Sequence, residues 1–357
     1  MQSTGPKLLV IAVLLSCVGC AFPSYRPSEF GDFPAQPEGF EAELQRHVEV
    51  LAGDIGPRNA FVPDACERAA KYIEEQFRDA GLEVRRQPVT IPDRGRFKCG
   101  PMTVYNIEAV VPGTDPNKTI IVGAHYDTKV ASRHWKDSGT SPRPDEPGTP
   151  GADDNASGVA VTLALAKQLA NTKPACTIRF VAFANEEPPF FQTEAMGSLV
   201  YAKSLKEEGV NVRAMVCMEM LGSYSETSQE QFHFVTLVRP ILGLPSLNNE
   251  YVVMLGNMRS YPLMRRSARV FQKNSTTRLR VLPMLQLPYI VAWSDDWSFW
   301  NQGFSAFSLT DTGLLRNHNY HELSDTPDTL DYDIMADVAW GAVALVKAMA
   351  NEEVQVD

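Results

Sequence analysis

Several things are scarce or missing in this chain, and each absence removes a class of protein. After residue 20 there is no long apolar run, so nothing in the body of the chain reads as a membrane-spanning helix. Cations are the minority. With 33 Lys and Arg against 43 Asp and Glu, the net charge of -10 argues against a general nucleic-acid binder. Part of that acidic excess is available to a bound cation. Of six cysteines, Cys17 and Cys20 fall in the first twenty residues. The other four, Cys66, Cys99, Cys176 and Cys217, show no Cys-x-x-Cys spacing, which excludes a cysteine-built zinc or dithiol redox site. Cys176 and Cys217 lie on apolar runs and read as small buried residues, although an exported chain would permit pairing. Repeats and low-complexity tracts are absent. What remains is an ordinary globular composition, 44% hydrophobic and 21% charged, enough for one large domain.

The amino terminus stands apart from the fold. Lys7 precedes the apolar run Leu8–Leu15, and Ser16-Cys17-Val18-Gly19-Cys20 closes it with small residues. Residues 1–20 therefore read as a secretory signal. A cysteine after a small residue at that point is similar to a bacterial lipoprotein processing site, with Cys17 and Cys20 as the two candidates. Acylation would leave the exported protein anchored by lipid at the cell envelope or in the periplasm, with no membrane helix; plain cleavage would secrete it. Residues 21–39, rich in Pro and Ser, read as a tether, and residues 40–357 as one domain.

Within that domain, helical periodicity marks Glu41–Leu51 and Ala65–Ala80, the second closing at Gly81. Leu82–Ile91 and Tyr105–Val111 alternate as strands, expected to be antiparallel. Short apolar strands follow at Lys118–Gly123, Thr177–Ala184, Val212–Met220, Tyr251–Leu255 and Ser305–Leu309. Helices at Ala156–Ala170, Thr193–Glu208, Tyr261–Lys273 and Tyr332–Ala350 alternate with them. This pattern predicts an α/β fold with a mixed, mainly parallel central sheet covered by helices on both faces.

The chemistry collects at strand ends, where open α/β sheets hold their sites. His125 and Asp127 follow one strand; His125 is a candidate metal ligand and Asp127 the group that orients its imidazole. Asp153 and Asp154 sit between Gly151 and Gly158 at a loop-to-helix junction, where a carboxylate can bridge two cations or simply cap the helix. Glu186 and Glu187 follow a buried strand, costly unless a cation or proton compensates them. One suits metal binding and the other a general base. Glu219 ends the next strand. Tyr320 and His321 supply a phenol and a last imidazole. His125, Asp154, Glu187, Glu219 and His321 together make two nitrogen and three carboxylate ligands, enough for two metals about 3.5–4 Å apart sharing one carboxylate.

Taken in order, His125-Tyr126-Asp127, Gly151 to Gly158, Asn185-Glu186-Glu187, Glu219-Met220-Leu221-Gly222 and Tyr320-His321 with Asp325-Thr326 behind them closely resemble the co-catalytic zinc aminopeptidases. That family of zinc exopeptidases includes bacterial leucyl aminopeptidases, glutamate carboxypeptidase II, glutaminyl cyclases and the catalytically silent transferrin receptor. The resemblance implies a zinc-exopeptidase fold and two Zn2+ ions bridged by Asp154. His125 and Glu219 would complete one site, and Glu187 and His321 the other. Glu186 would act as general base, Tyr320 would polarise the scissile carbonyl, and the Asp154–Asn155 peptide would be cis. The substrates implied are peptides cleaved at the amino terminus. The same resemblance admits a single-zinc glutaminyl cyclase, a zinc carboxypeptidase using one of Arg133, Arg143, Arg265, Arg266 or Arg316, or a non-catalytic ectodomain. Two positions depart from the family pattern: Glu219 where many relatives have Asp, and Asp296 where relatives often have His. The loop 129–150 and the insertion 222–262 are expected to shape the pocket; Phe232, Phe234, Leu242 and Leu244 of the insertion fit either that role or plain core packing. The motifs carry no signal for oligomeric state.

Overall fold

The structure, a computed structural model, describes residues 24–25, 33–92, 101–130, 148–224, 251–284 and 294–354. The signal, Cys99, Arg133, Arg143 and most of the 129–150 and 222–262 segments fall outside the described residues. Among the described residues, nine strands form one sheet. In chain order they are β1 (Ser24–Tyr25), β2 (Glu83–Ile91), β3 (Met102–Val111), β4 (Asp115–His125), β5 (Cys176–Phe183), β6 (Val212–Glu219), β7 (Tyr251–Asn257), β8 (Arg278–Met284) and β9 (Ala306–Thr310). Across the sheet the order is β1-β8-β7-β9-β6-β4-β5-β3-β2. The central block β9-β6-β4-β5 is parallel throughout. β3 and β2 extend it antiparallel on one side, as their alternation predicts, and β7 joins β9 antiparallel on the other.

The period of two explains how both faces are covered. Ile120, Val122 and Ala124 of β4 point into one core with Ile178 and Phe180 of β5 and Val216 of β6. Their neighbours Ile121, Val181, Met215 and Cys217 point into a second core on the opposite face. The larger core receives α1 (Phe40–Val48), α2 (Pro63–Asp79), α3 (Gly158–Leu169), α5 (Tyr261–Gln272) and α8 (Tyr332–Ala350). The smaller receives α4 (Gly197–Glu207) and α6 (Asp296–Asn301). α2 illustrates the local logic. Pro63 starts it, Ala65, Cys66, Ala69, Ala70, Ile73 and Phe77 form its buried stripe, and Gly81 at φ 82° ends it. α3 is buried along almost its whole length, which accounts for its all-round apolar sequence.

β8 and α6 were not evident in the sequence: β8 alternates Arg with Leu and Val and carries Pro283, and α6 spans only six residues. Cys176 and Cys217 are buried free thiols, as is Cys66, whose ionisation burial pushes up to about 12.

The order of strands decides where chemistry can gather. β4 lies between β5 and β6, so the chain steps to one side of β4 and then to the other. The carboxyl ends on either side of β4 therefore open a crevice, and His125 stands at its centre.

Candidate metal centre

Each candidate ligand reaches this crevice from a different element. His125 is the last residue of β4 and Glu219 the last of β6. The glutamate pair begins three residues beyond the end of β5, in the loop rather than on the strand. Asp154 lies in the turn before α3, and His321 in the segment after the short helix α7 (Gly313–Arg316). Asn185, Met220 and His321 take left-handed φ values of 58°, 48° and 61°. Non-glycine residues do so only where the surroundings hold them, and here all three adjoin or belong to the ligand set. The Asp154–Asn155 peptide is cis.

Asp154 is the centre of the arrangement. Its Oδ1 lies 3.2 Å from His125 Nε2 and its Oδ2 3.1 Å from His321 Nε2. Glu219 Oε1 is 3.7 Å from His125 Nε2, and Glu187 Oε1 is 3.1 Å from His321 Nε2. Two triads result: His125, Asp154 and Glu219, then Asp154, Glu187 and His321, each with its donor atoms within 4.8 Å of one another. A zinc ion with ligands at about 2.0 Å in tetrahedral array separates them by about 3.3 Å, close to these spacings. His125 Nε2 and Glu187 Oε1 are buried without a hydrogen-bond partner among the described residues. Each triad thus contains one buried lone pair with no partner, which is what a cation satisfies, so the residues fit a pair of metal ions.

A second layer of side chains holds the ligand-bearing backbone. Asp127 accepts the N–H groups of Glu186 (3.0 Å) and Glu187 (3.1 Å), one on each carboxylate oxygen. The imidazole of His125 meets Asp127 through Nδ1 at 3.1 Å from the backbone carbonyl, with the carboxylate farther away at 3.6 Å. Asp127 thus grips the glutamate pair directly and touches the histidine mainly through its main chain. Asp325 does the same for the other side, accepting the N–H groups of Asp153 (2.9 Å) and Asp154 (3.1 Å). Asn155 donates to Met218 O and Glu219 Oε2 and accepts from Gly158 and Met220 N–H, which ties the turn to the end of β6. Ser294 Oγ donates to Glu219 Oε2 at 2.6 Å. Arg58, fully buried, donates to the carbonyls of Pro150 (2.6 Å) and Gly151 (2.7 Å) just ahead of the aspartates. Nothing in its local sequence marks Arg58; only long-range contact gives it this position.

Burial and mutual charge set the ionisation. Burial pushes Glu186 well above the usual carboxylate range, with His125 opposing and Glu187 and Glu219 adding to it. Glu187 is raised by burial against the pull of His321. Burial works against the charged form of His321, yet Glu187 and Asp154 outweigh it and lift the imidazole to about 9. Asp154 is held well below its ordinary value because the two imidazoles beside it, His125 at 3.2 Å and His321 at 3.1 Å, overcome its burial. Such mutual perturbation is typical of functional clusters.

The cluster opens into a cavity of ≈ 210 Å³ whose far walls include Phe191, Met220, Leu255, Asp296, Ser308 and Thr310. Glu186 lies on its edge, 6% exposed and 4.0 Å from His125 Nε2. Tyr320 lines the same cavity and stacks on His321 with ring centroids 3.8 Å apart. Asp296, at the position that departs from the family pattern, faces the cavity and accepts from Ser308 Oγ at 2.9 Å. His318 is exposed and outside the cluster. Arg316 is buried against the carbonyls of Asp311 and Tyr251 instead of facing the cavity, and Arg265 and Arg266 lie on α5.

The profile of peptidase family M28 matches residues 106–346, more than half of the chain and all five candidate ligands. The chain belongs to peptidase family M28. The zinc-peptidase class expected from the motifs agrees with that family. An Escherichia coli (strain K12) relative, "Uncharacterized protein YfbL", is 34% identical over 309 residues, 85% of this chain and 87% of its own. A "Probable zinc metalloprotease" of Pyricularia oryzae is 28% identical over 311 residues; the match spans 81% of this M28 chain but 59% of the fungal protein. Among solved structures, a zinc aminopeptidase from Bacillus subtilis superposes with TM-score 0.64 at 16% identity, covering 90% of this chain and 97% of that one. The glutaminyl cyclase of Fimbriiglobus ruber gives TM-score 0.61 at 20% identity, covering 90% and 99%. Both likenesses establish the fold, which is the zinc-exopeptidase architecture expected for an M28 chain.

Proposed function

We propose that this M28 peptidase is a di-zinc exopeptidase that removes residues from the amino terminus of peptides. One observation carries the reading: the two oxygens of Asp154 address two different imidazoles, at 3.2 and 3.1 Å, so a single carboxylate serves two sites. His125 and Glu219 would complete one site, Glu187 and His321 the other. Zinc held there would supply Lewis acidity toward a peptide carbonyl and a water acidified toward ~7. Glu186 is the proton carrier. Its main chain is pinned by Asp127, and burial raises its affinity for a proton, so it accepts one from the attacking water and delivers it to the leaving amine. The Tyr320 phenol, kept protonated by burial, donates to the carbonyl oxygen as charge develops there. No Arg or Lys lines the cavity among the described residues, whereas Glu186, Glu219 and Asp296 do. That balance favours a cationic α-amine over a carboxylate as the substrate's recognised end.

Metal analysis of the purified protein, with cleavage of free and N-acetylated peptides, tests the proposal. About two zinc ions per chain and loss of cleavage on acetylation are expected; equal cleavage of both peptides would refute amine recognition. The glutaminyl cyclase fold is nearly as close in shape, with TM-score 0.61 against 0.64 for the aminopeptidase. A stoichiometry near one zinc, with ammonia released from amino-terminal glutamine, would favour that alternative. We also propose export and acylation at Cys17 or Cys20, on the strength of the Lys7 and Leu8–Leu15 pattern. Fatty-acid labelling that persists after both cysteines are replaced would refute it.

A further inference from the structure

Residues 251–294 contain seven basic residues and no Asp or Glu, which leaves 26 basic against 43 acidic residues for the rest of the chain. Such segregation in an acidic protein needs a reason. α5 buries Leu263, Met264, Ala268 and Phe271 against the sheet and turns Arg265 and Arg269 outward, with Lys273 continuing the row four residues on. All three are exposed, as is Arg259 just before the helix. Among the described residues none of these four has a carboxylate within ion-pair distance. Elsewhere on the surface Arg78, Arg86, Lys118 and Lys167 are each paired with a glutamate. Like charges four apart on a helix oppose one another, so the row does not serve the helix itself. The helix dipole accounts for cations in the last turn, Arg269 and Lys273, but not for Arg259 or Arg265.

The path of the chain shows what this face meets. β1 adds to the edge of the sheet beside β8, pairing Ser24 with Arg280 and Tyr25 with Leu279. Tyr25 Oη donates to the Arg265 carbonyl at 3.4 Å, which ties the amino-terminal strand to α5. Cys20 precedes Ser24 by four residues and Cys17 by seven. Even fully extended, those lengths reach only about 13–25 Å. An acyl chain on either cysteine would therefore keep the basic row within a short distance of a bilayer, where anionic headgroups attract Lys and Arg over about one Debye length.

We propose that the surface formed by Arg259, Arg265, Arg269 and Lys273 is the membrane-facing side of the protein and binds the headgroups of anionic phospholipids. The proposal rests on this charge pattern, the course of β1 and the acylation proposed above, not on the peptidase reading, and peptidase activity is not its readout.

The test uses the full chain as the cell delivers it, mixed with vesicles of phosphatidylcholine alone or with about 30% phosphatidylglycerol. A membrane-impermeant amine reagent then reports the accessibility of Lys273. Lys71 serves as the control, 62% exposed on α2, which packs against β2 and β3 at the opposite edge of the sheet. Labelling of Lys273 should fall about threefold or more on the anionic vesicles only, recover in about 0.5 M salt, and leave Lys71 unchanged. The triple variant Arg259→Gln, Arg265→Gln, Arg269→Gln should lose the protection while cleaving peptides normally. Unchanged labelling on anionic vesicles, or equal protection on neutral ones, would overturn the proposal. So would protection by nucleic acid or an acidic polypeptide in place of vesicles. Flotation with the neutral vesicles reads the acyl anchor separately, so its absence is distinguishable from failure of the basic face.

Discussion

Replacing Asp127 with Asn tests the architecture of the centre more sharply than removing a ligand. The Asp127 carboxylate accepts two main-chain N–H groups, those of Glu186 and Glu187, and is itself 2% exposed. Asparagine keeps one acceptor oxygen and turns an NH2 group toward the second N–H. One charge-assisted hydrogen bond is lost and one buried donor is stranded, a cost of about 2–3 kcal/mol. For a domain of some 300 residues, with about 2.1 cal/mol/K of unfolding entropy per residue, this lowers Tm by about 3–5 °C. The loss should be present in the chelated protein as well, because the clamp acts on backbone and not on metal. With zinc restored to saturation, turnover should still fall about 10- to 100-fold, since the base and one ligand share the loosened segment. Calorimetry with and without chelator, together with kcat at saturating zinc, makes the measurement. A Tm within 1 °C of the parent and a kcat within about twofold would refute the clamp.

Three further outcomes follow from the same geometry. Glu186→Gln should retain full zinc content while kcat falls about 10²- to 10⁴-fold; undiminished turnover would remove Glu186 from proton transfer. Zinc at about 100 times its Kd should stabilise the chelated protein by about 2.7 kcal/mol for each site filled, seen as a Tm some 4 °C higher per site, and a zinc-insensitive Tm would contradict a metal centre. On α1, the His47 imidazole, 3.8 Å from the carboxylate, and then a hydrogen bond from Lys167 (2.9 Å) overcome partial burial and hold Glu43 down at about 2 against an ordinary 4.5. A depressed carboxylate contributes stability above its unfolded value, and that contribution disappears as pH falls from near 4.5 through about 2. After allowance for solvent it amounts to about 1 kcal/mol, and Glu43→Gln should flatten that acid limb of the chelated protein's urea midpoints.

Much of the fold was legible because periodicity reports burial. The apolar period of Tyr332–Ala350 predicts a helix, and the structure has one over those same residues. The antiparallel pairing of β2 with β3 also followed from alternation. β8 escaped because its outward arginines break the apolar run that marks a buried strand. The candidate ligands were legible because carboxylates and histidines are conspicuous beside apolar strands. Their contacts were less so: Asp325, though part of the motif, reaches across more than 170 positions to the Asp154 N–H, and Arg58 joins the site with no motif to mark it.

By itself the amino-acid order determined which side chains are candidates for metal-binding chemistry and that His125 and Glu219 would close strands, because residue type and hydrophobic period are local properties. Only the tertiary structure decided that β4 lies between β5 and β6, that Asp154 faces two imidazoles at once, and that Asp127 serves the glutamate backbone more directly than the histidine ring. The same holds for the basic row of α5, which becomes a single face beside β1 only when the sheet is assembled. Distances between residues remote in sequence are set by packing, and packing depends on every element together.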